Sequence, residues 1–281
     1  MSAEGESDDR RRASVPAIQQ TWDALAPAYD TLASFHDHSA WAAQVDGLAR
    51  EAGLAGRRLL DVGCGTGSST AAMRERGYEV VGVDVSPRML EVAEQRLGPG
   101  VELHRHDVRE LPALGTFDVV WGSGDVMNFL LSDAELVAAF CGFRRNLADG
   151  GFAVFDVDTL ASFRTLYSSL LVVPADERIV VFEGQADGTL ESGDTAEALI
   201  DSLEPASSPW WRRVRAVHRQ RHHAPATIEA ALDAAGLDLA AVWGTDGAGG
   251  SQRPLDEERH NKAVYIARNG GARRAGEEVS R

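Results

Sequence analysis

The feature that most constrains this chain is a strand–turn–helix–strand unit ending in an acid. The apolar run Leu59-Leu60-Asp61-Val62 breaks at Gly63-Cys64-Gly65-Thr66-Gly67. Ser68 to Arg76 then has helical spacing, and a second apolar run, Glu79-Val80-Val81-Gly82-Val83, closes on Asp84. Two buried strands joined through a helix predict a parallel sheet covered on both faces. Gly63, Gly65 and Gly67 let a ligand touch the backbone, and the helix N-terminus after them is positively polarised. A carboxylate at Asp84 can accept two hydrogen bonds from ribose hydroxyls. Together these parts read as a nucleoside-binding unit.

Spacing narrows the nucleoside. A dinucleotide fingerprint needs glycine at its first, third and sixth places, but the sixth place counted from Gly63 is Ser68. The glycines run at first, third and fifth, with Asp61 two residues ahead. An anion there opposes a pyrophosphate and suits a ligand with a cationic amino group. Gly-Lys-Ser/Thr spacing for a triphosphate is absent.

The alternation continues along the chain. Pro16 to Ala33 and Ser39 to Ala52 have helical spacing, and Ser86-Pro87 opens a further helix. Val101–Leu103, Phe117–Trp121 and Phe152–Phe155 read as strands. A helix from Asp133 to Leu147 ends at Asp149-Gly150-Gly151. After Thr159 the rhythm changes. A helix from Ala161 to Leu171 precedes strands at Arg178–Phe182, Thr195–Leu203 and Trp210–His222. The third of these alternates, with Val214, Ala216, His218, Gln220 and His222 on one side and Arg213, Arg215, Arg219 and Arg221 on the other. These predict an antiparallel insertion over one rim of the sheet. A helix (Pro225–Ala235) and strands at Leu237–Trp243 and Ala263–Arg268 complete the core. The expected organisation is a disordered tail (1–14), an N-terminal helical cap (15–55), a cofactor-binding half (56–160), a substrate-side insertion (161–224), a C-terminal part of the core (225–268) and a second tail (269–281).

Four stretches in order resemble the motifs of class I S-adenosylmethionine-dependent methyltransferases. Leu60-Asp61-Val62-Gly63-Cys64-Gly65-Thr66-Gly67 is similar to the first, and Val81-Gly82-Val83-Asp84-Val85-Ser86-Pro87-Arg88-Met89-Leu90 to the second. His106-Asp107-Val108 resembles the third, and Phe117-Asp118-Val119-Val120-Trp121 the fourth. The resemblance covers residues 59–158. It implies an α/β, Rossmann-like seven-stranded sheet with helices on both faces and a reversed last strand. It also implies S-adenosyl-L-methionine as cofactor and S-adenosyl-L-homocysteine as product. On that resemblance Gly63, Cys64, Gly65 and Gly67 approach the methionine part and Asp84 holds the ribose. Val85 and Met89 flank the adenine, and Asp107 and Val108 meet its edge.

Gly122-Ser123-Gly124-Asp125-Val126-Met127-Asn128-Phe129-Leu130 is similar to the stretch of glycine N-methyltransferase-like and amino-sugar N-methyltransferases that faces cofactor and substrate. It implies cofactor contacts at Gly122 and Ser123. Tyr29 and Trp41 stand where those relatives use aromatics to cover the cofactor, although core packing accounts for both equally well. The arginine that sugar-amine relatives often place in this segment is missing, since Arg50 is the first after Arg12. A sulfonium methyl is already electrophilic, so catalysis needs mainly an in-line nucleophile in a dry pocket. An amine needs little further help, whereas a hydroxyl needs a base. Asp125 is the first candidate for steering a cationic amine or activating the nucleophile, with a cap or turn as its other reading. His36, His38 and His218 are candidate bases, against ordinary surface or core histidines. Asp156 and Asp158 can border the pocket or cap the next helix. No third ligand at recognisable spacing supports a metal.

A formal net charge of −15 repels phosphate backbones and anionic membranes. Neither nucleic acid nor membrane is expected as a partner, and a homo-oligomer is left open. The Pro-Pro-aromatic and Pro-Cys signatures of nucleic-acid methyltransferases are absent, and Asp156-Val157-Asp158 matches the magnesium-dependent O-methyltransferases poorly. Cys64 and Cys141 cannot form a disulfide framework, and no apolar run approaches about 20 residues, which together suit the cytoplasm. Abundant Ala, Gly, Arg and Asp suggest a GC-rich bacterial genome, and with it a tailoring enzyme of antibiotic or other specialised metabolism. The expected activity is methyl transfer to an amine of a small-molecule acceptor. O-methylation by a His/Asp base and a non-catalytic nucleoside binder are the alternatives.

Overall fold

The computed structural model describes residues 15–175, 177–207, 209–246 and 250–271; the expected tail at 1–14 and residues 272–281 of the second one lie outside them. The chain opens with α1 (Val15–Leu25), the single turn α2 (Tyr29–Leu32) and α3 (His38–Glu51). The helix expected from Pro16 to Ala33 is interrupted by a 3-10 turn over Ala26–Ala28, where Pro27 has no N–H to continue the α ladder. Asp37 starts α3 by accepting from the Ala40 N–H at 2.9 Å.

Strands and helices then alternate: β1 (Arg58–Val62), α4 (Ser68–Glu75), β2 (Glu79–Asp84), α5 (Pro87–Leu97), β3 (Glu102–Arg105), β4 (Phe117–Gly122), α6 (Asp133–Asn146) and β5 (Leu147–Asp158). The strand expected at Phe152–Phe155 begins much earlier. Asn146 ends the helix by giving its side-chain amide to Gly142 O and Pro112 O, so Asp149-Gly150-Gly151 falls inside β5. Gly151 is required there, because a Cβ would stand 3.0–3.2 Å from three backbone oxygens. The chain continues through α7 (Leu160–Tyr167), β6 (Leu170–Ala175), β7 (Arg178–Gly184), β8 (Thr195–Pro205), β9 (Trp211–Arg221), α8 (Pro225–Ala235), β10 (Asp238–Thr245), β11 (Ser251–Gln252) and β12 (Lys262–Arg268). Leu170 and Leu171, read as the end of a helix, instead begin β6, where Val172 and Val173 favour the extended chain.

The main sheet has the order β11-β10-β12-β5-β4-β1-β2-β3. Strands β3, β2, β1, β4 and β5 are parallel, and β12 lies antiparallel between β5 and β10. The sheet has eight strands rather than the expected seven, because two-residue β11 pairs with the end of β10. A second sheet, β6-β7-β8-β9, is antiparallel and forms the expected insertion after β5. Residues of α3 and α4 pack with one face of the main sheet, and α6 and α8 with the other. A third core joins Leu25 and Ala28 to Phe163, Tyr167 and the inner face of the insertion. Asn269, expected as the first residue of the second tail, is instead held against β5, its side-chain amide donating to Leu147 O and Ala148 O. No helix among the described residues is long and apolar enough to cross a membrane.

Candidate active site

Parallel strands β1 and β4 are neighbours, while β2 lies on the other side of β1. Successive crossovers therefore leave β1 in opposite directions, and a crevice opens beyond the strand C-termini. The glycine turn lies in that crevice, with left-handed φ at Gly63 (75°), Gly65 (53°) and Gly67 (82°). Gly63 and Gly67 are needed for packing as well. A Cβ would meet Val126 at 2.5 Å in the first case and Leu97 at 3.0 Å in the second. At Gly65 a Cβ would meet only the Tyr29 ring, at 3.9 Å, so the space above this residue is open to a ligand.

Asp84 ends β2 and is buried. Its carboxylate accepts from Gly65 N–H at 2.9 Å and Ser86 N–H at 2.8 Å. Burial nevertheless pushes it up to about 6. Asp61, accepting from Thr70 Oγ1 at 2.6 Å and Ser69 Oγ at 3.1 Å, is likewise pushed up to about 6 by burial. Cys64 is buried, with its thiol raised by desolvation, and packs against Gly82. Met89 is buried at the start of α5, and Val85 and Val108 are half-buried. Asp107 caps a 3-10 turn and is held on both oxygens by Arg109, at 2.9 and 2.7 Å.

The helical cap is pinned to this half by specific bonds. Arg96 of α5 donates to Thr66 O, Thr66 Oγ1 and Ser68 Oγ and pairs with Asp30 of α2. Asp23 of α1 accepts from Ser86 Oγ at 2.6 Å. Tyr29 is thereby held over Gly65. Its hydroxyl is pushed up to about 12 by burial and by the nearby carboxylates Asp84, Asp30 and Asp156. Trp41 of α3 donates its indole N–H to Ser123 Oγ at 3.0 Å, so both N-terminal aromatics border the crevice.

Beyond β4, Gly124 N–H and Asp125 N–H donate to Asp156 at 3.0 and 3.1 Å. They hold Asp125 at φ 64°, the one non-glycine residue with positive φ among those described. The Asp125 side chain makes no cap bond and pairs with Lys262, at the start of β12. Lys262 Nζ also lies 3.1 Å from Asp158 and 3.6 Å from Asp156. Antiparallel register, Lys262 opposite Asp158, brings these groups together. Asn128 fixes the same corner by accepting from Asp158 N–H and donating to Arg221 O. Burial pushes Asp156 up to about 6 and Asp158 up to about 7, the latter helped by Asp156, and pushes Lys262 down to about 7. In Asp156, Asp158 and Lys262 alike, desolvation disfavours charge.

His36, in the segment between α2 and α3, and His38, the first residue of α3, stand together, with ring centroids 4.7 Å apart and His36 6.0 Å from Trp41. Burial lowers both, and Lys262 lowers His36 further; His36 stands beside Trp41 at the mouth, with His38 as its ring neighbour. His218 belongs elsewhere. It is buried among Trp22, Phe129, Tyr167 and Phe182, and burial pushes it down to about 4. The four candidate catalytic residues thus divide: Asp125, His36 and His38 share the mouth, while His218 lines an aromatic box between cap and insertion. No cluster of metal-ligating side chains occurs among the described residues. Sequence reasoning passed over Lys262. The available signal was compositional, for it is the only lysine in the chain.

Residues 59–151 match the family described as "Methyltransferase domain". The cypemycin N-terminal methyltransferase of a Streptomyces species is 38% identical over 138 residues, 49% of this chain and 56% of that protein. The dTDP-3-amino-3,4,6-trideoxy-alpha-D-glucopyranose N,N-dimethyltransferase of Streptomyces venezuelae is 28% identical over 202 residues, 72% of this chain and 84% of that protein. An S-adenosylmethionine-dependent methyltransferase from Clostridium acetobutylicum superposes with a TM-score of 0.73 at 22% identity, covering 88% of this chain and 98% of the other. The chain spans 66%, 64% and 56% of the length of three curated relatives it matches. Residues 59–151 are thus similar to the methyltransferase-domain family, and the chain carries the class I S-adenosylmethionine-dependent methyltransferase fold.

Proposed function

We propose that the protein transfers a methyl group from S-adenosyl-L-methionine to an amine of a small molecule. One observation carries this reading. The open space above Gly65 is bordered by Tyr29, which lies close to Asp84 and to Asp156, and Asp156 belongs with Asp125 and Asp158 to one cluster around Lys262. An acidic mouth next to a nucleoside site attracts a cationic amine and repels phosphate-bearing polymers.

The cradle fits the nucleoside. Asp84 keeps lone pairs free for ribose hydroxyls beside its two backbone donors, and Gly63, Gly65 and Gly67 bring the backbone up to the methionine part. Val85 and Met89 flank the adenine. Asp107 and Val108 meet its edge, with Asp107 steadied by Arg109. Gly122, Ser123 and Trp41 close the side facing the acceptor, and Tyr29 covers the cofactor. When bound there, S-adenosyl-L-methionine would supply the electrophilic sulfonium methyl for the acceptor nitrogen, with S-adenosyl-L-homocysteine as the product. Asp125 orients the amine, while the cap and the insertion exclude water. Residues 56–160 form the cofactor half and 161–224 the acceptor side. The similarity to an amino-sugar N,N-dimethyltransferase over 72% of the chain favours an amine over a hydroxyl. A cytoplasmic setting suits its two free cysteines.

The test is product detection. Incubated with S-adenosyl-L-methionine and a panel of amino sugars and other primary or secondary amines, the protein should release S-adenosyl-L-homocysteine together with an N-methylated product. Tight cofactor binding without turnover on any amine or hydroxyl acceptor sinks the proposal and favours a non-catalytic binder.

A further inference from the structure

Every cationic side chain in this protein except one is an arginine. The exception, Lys262, stands within reach of three carboxylates at the acceptor mouth. As a fixed positive charge, arginine would serve that place better, since its planar fork binds carboxylates in pairs of bonds and never loses its proton. Lysine offers one property that arginine lacks: an ammonium that gives up its proton when desolvated. The groups around it are Asp125 from the segment after β4, Asp156 and Asp158 from β5, and His36 from the segment before α3. Asp158 Oδ2 is buried without a hydrogen-bond partner, so the cluster holds an unfilled acceptor beside the amine.

We propose that Lys262 is the base that takes the proton an ammonium-bearing acceptor must lose before it can attack. This rests on the amine reading above. The acceptor enters as R–NH3+, drawn by the carboxylates. One N–H bond breaks and its electron pair stays on the acceptor nitrogen. The proton bonds to the Nζ lone pair of Lys262, and the resulting ammonium is held by Asp125 and Asp158. Total charge is unchanged, and the acceptor nitrogen is left with the lone pair that methyl transfer requires. Burial, which lowers Lys262 to about 7, keeps its neutral form within reach at physiological pH.

A single lysine makes the test direct. Protein grown on lysine labelled with 13C at Cε shows one side-chain resonance, and we expect its titration midpoint at least about two pH units below the ordinary 10.4. A midpoint near 10.4 overturns the proposal. This measurement needs no substitution, so it stands even if a variant fails to fold. Lys262→Arg and Lys262→Met are then compared with the parent by thermal unfolding, S-adenosylhomocysteine binding and pH–rate profiles on an amine acceptor. Both should lose about 100-fold or more in turnover while binding the nucleoside within about threefold of the parent, and the acidic limb of the profile should disappear. Turnover by Lys262→Arg within about threefold of the parent shows that only the charge matters, and overturns the assignment. If the parent itself methylates no amine, the amine reading falls, and the role of Lys262 falls with it.

Discussion

The two halves of the crevice are built in different ways. On the cofactor side, the parts that shape the cradle lie within residues 61–89, and much of its surface is backbone: three glycines at positive φ and the N–H groups of Gly65 and Ser86 held by Asp84. On the acceptor side the working groups are side chains far apart in the chain. His36, Asp125, Asp156 and Lys262 meet only because α3 packs on one face of the sheet, with Trp41 bonded to Ser123, and β12 pairs with β5 in one register. A backbone cradle follows from local sequence and tolerates change around it. A side-chain cluster depends on every strand that carries it. Damage should therefore separate: changes at the mouth should remove turnover and spare binding, and changes at the cradle should do the reverse.

Asp125→Asn gives the largest separation. Turnover should fall about 100-fold, the scale of a lost catalytic carboxylate, while S-adenosylhomocysteine affinity measured by calorimetry moves less than about threefold. Equal losses in both would return Asp125 to the scaffold. Asp84→Ala is the converse. Losing hydrogen bonds to a charged group, about 1.5–3 kcal/mol, should weaken cofactor binding at least about tenfold. Unchanged affinity would remove the ribose role.

The titration of Asp84 sharpens the same contrast. Its folded pKa, about 6, lies above the ordinary 3.8, so the folded protein binds that proton more tightly than the unfolded chain. The resulting stability is fully present below pH 3.8 and is lost as pH rises through about 6. Ligand binding runs the other way, because hydroxyl donors prefer the carboxylate. Affinity for S-adenosylhomocysteine should rise between pH 5 and 7 in the parent, and Asp84→Asn should flatten the rise. Smaller effects follow at the rim. Trp41→Phe deletes the bond to Ser123, worth about 1 kcal/mol, and should raise the acceptor KM about fivefold. His36→Gln should cost less than about threefold in turnover if Lys262 is the base; a loss near 100-fold would give the proton to His36 instead.

Much of this architecture was legible without coordinates, for identifiable reasons. Runs such as Leu59–Val62 and Glu79–Val83 are apolar because β1 and β2 are covered on both faces, and their glycines and terminal acids are written consecutively. The alternation from Val214 to His222 predicted the inward face of β9, because side chains on a strand have a period of two. The arginines opposite proved to be paired, Arg213 and Arg215 with Asp201 and Arg219 with Glu197. Boundaries were less legible. Asp149-Gly150-Gly151 looks like a helix stop, but Asn146 had already supplied one, and two-residue β11 carries no pattern of its own.

The sequence by itself determined the parallel core, the nucleoside cradle and the insertion, since each rests on short-range periodicity, turn chemistry and adjacent motifs. Only the tertiary structure decided which acids gather beyond β4 and β5, which histidines stand near Trp41, and that Lys262 closes the cluster. Lys262 and Asp125 are separated by 137 positions in the numbering and three elements of the sheet order. Their meeting depends on strand register and desolvation, properties of the packed chain that no local stretch of residues encodes.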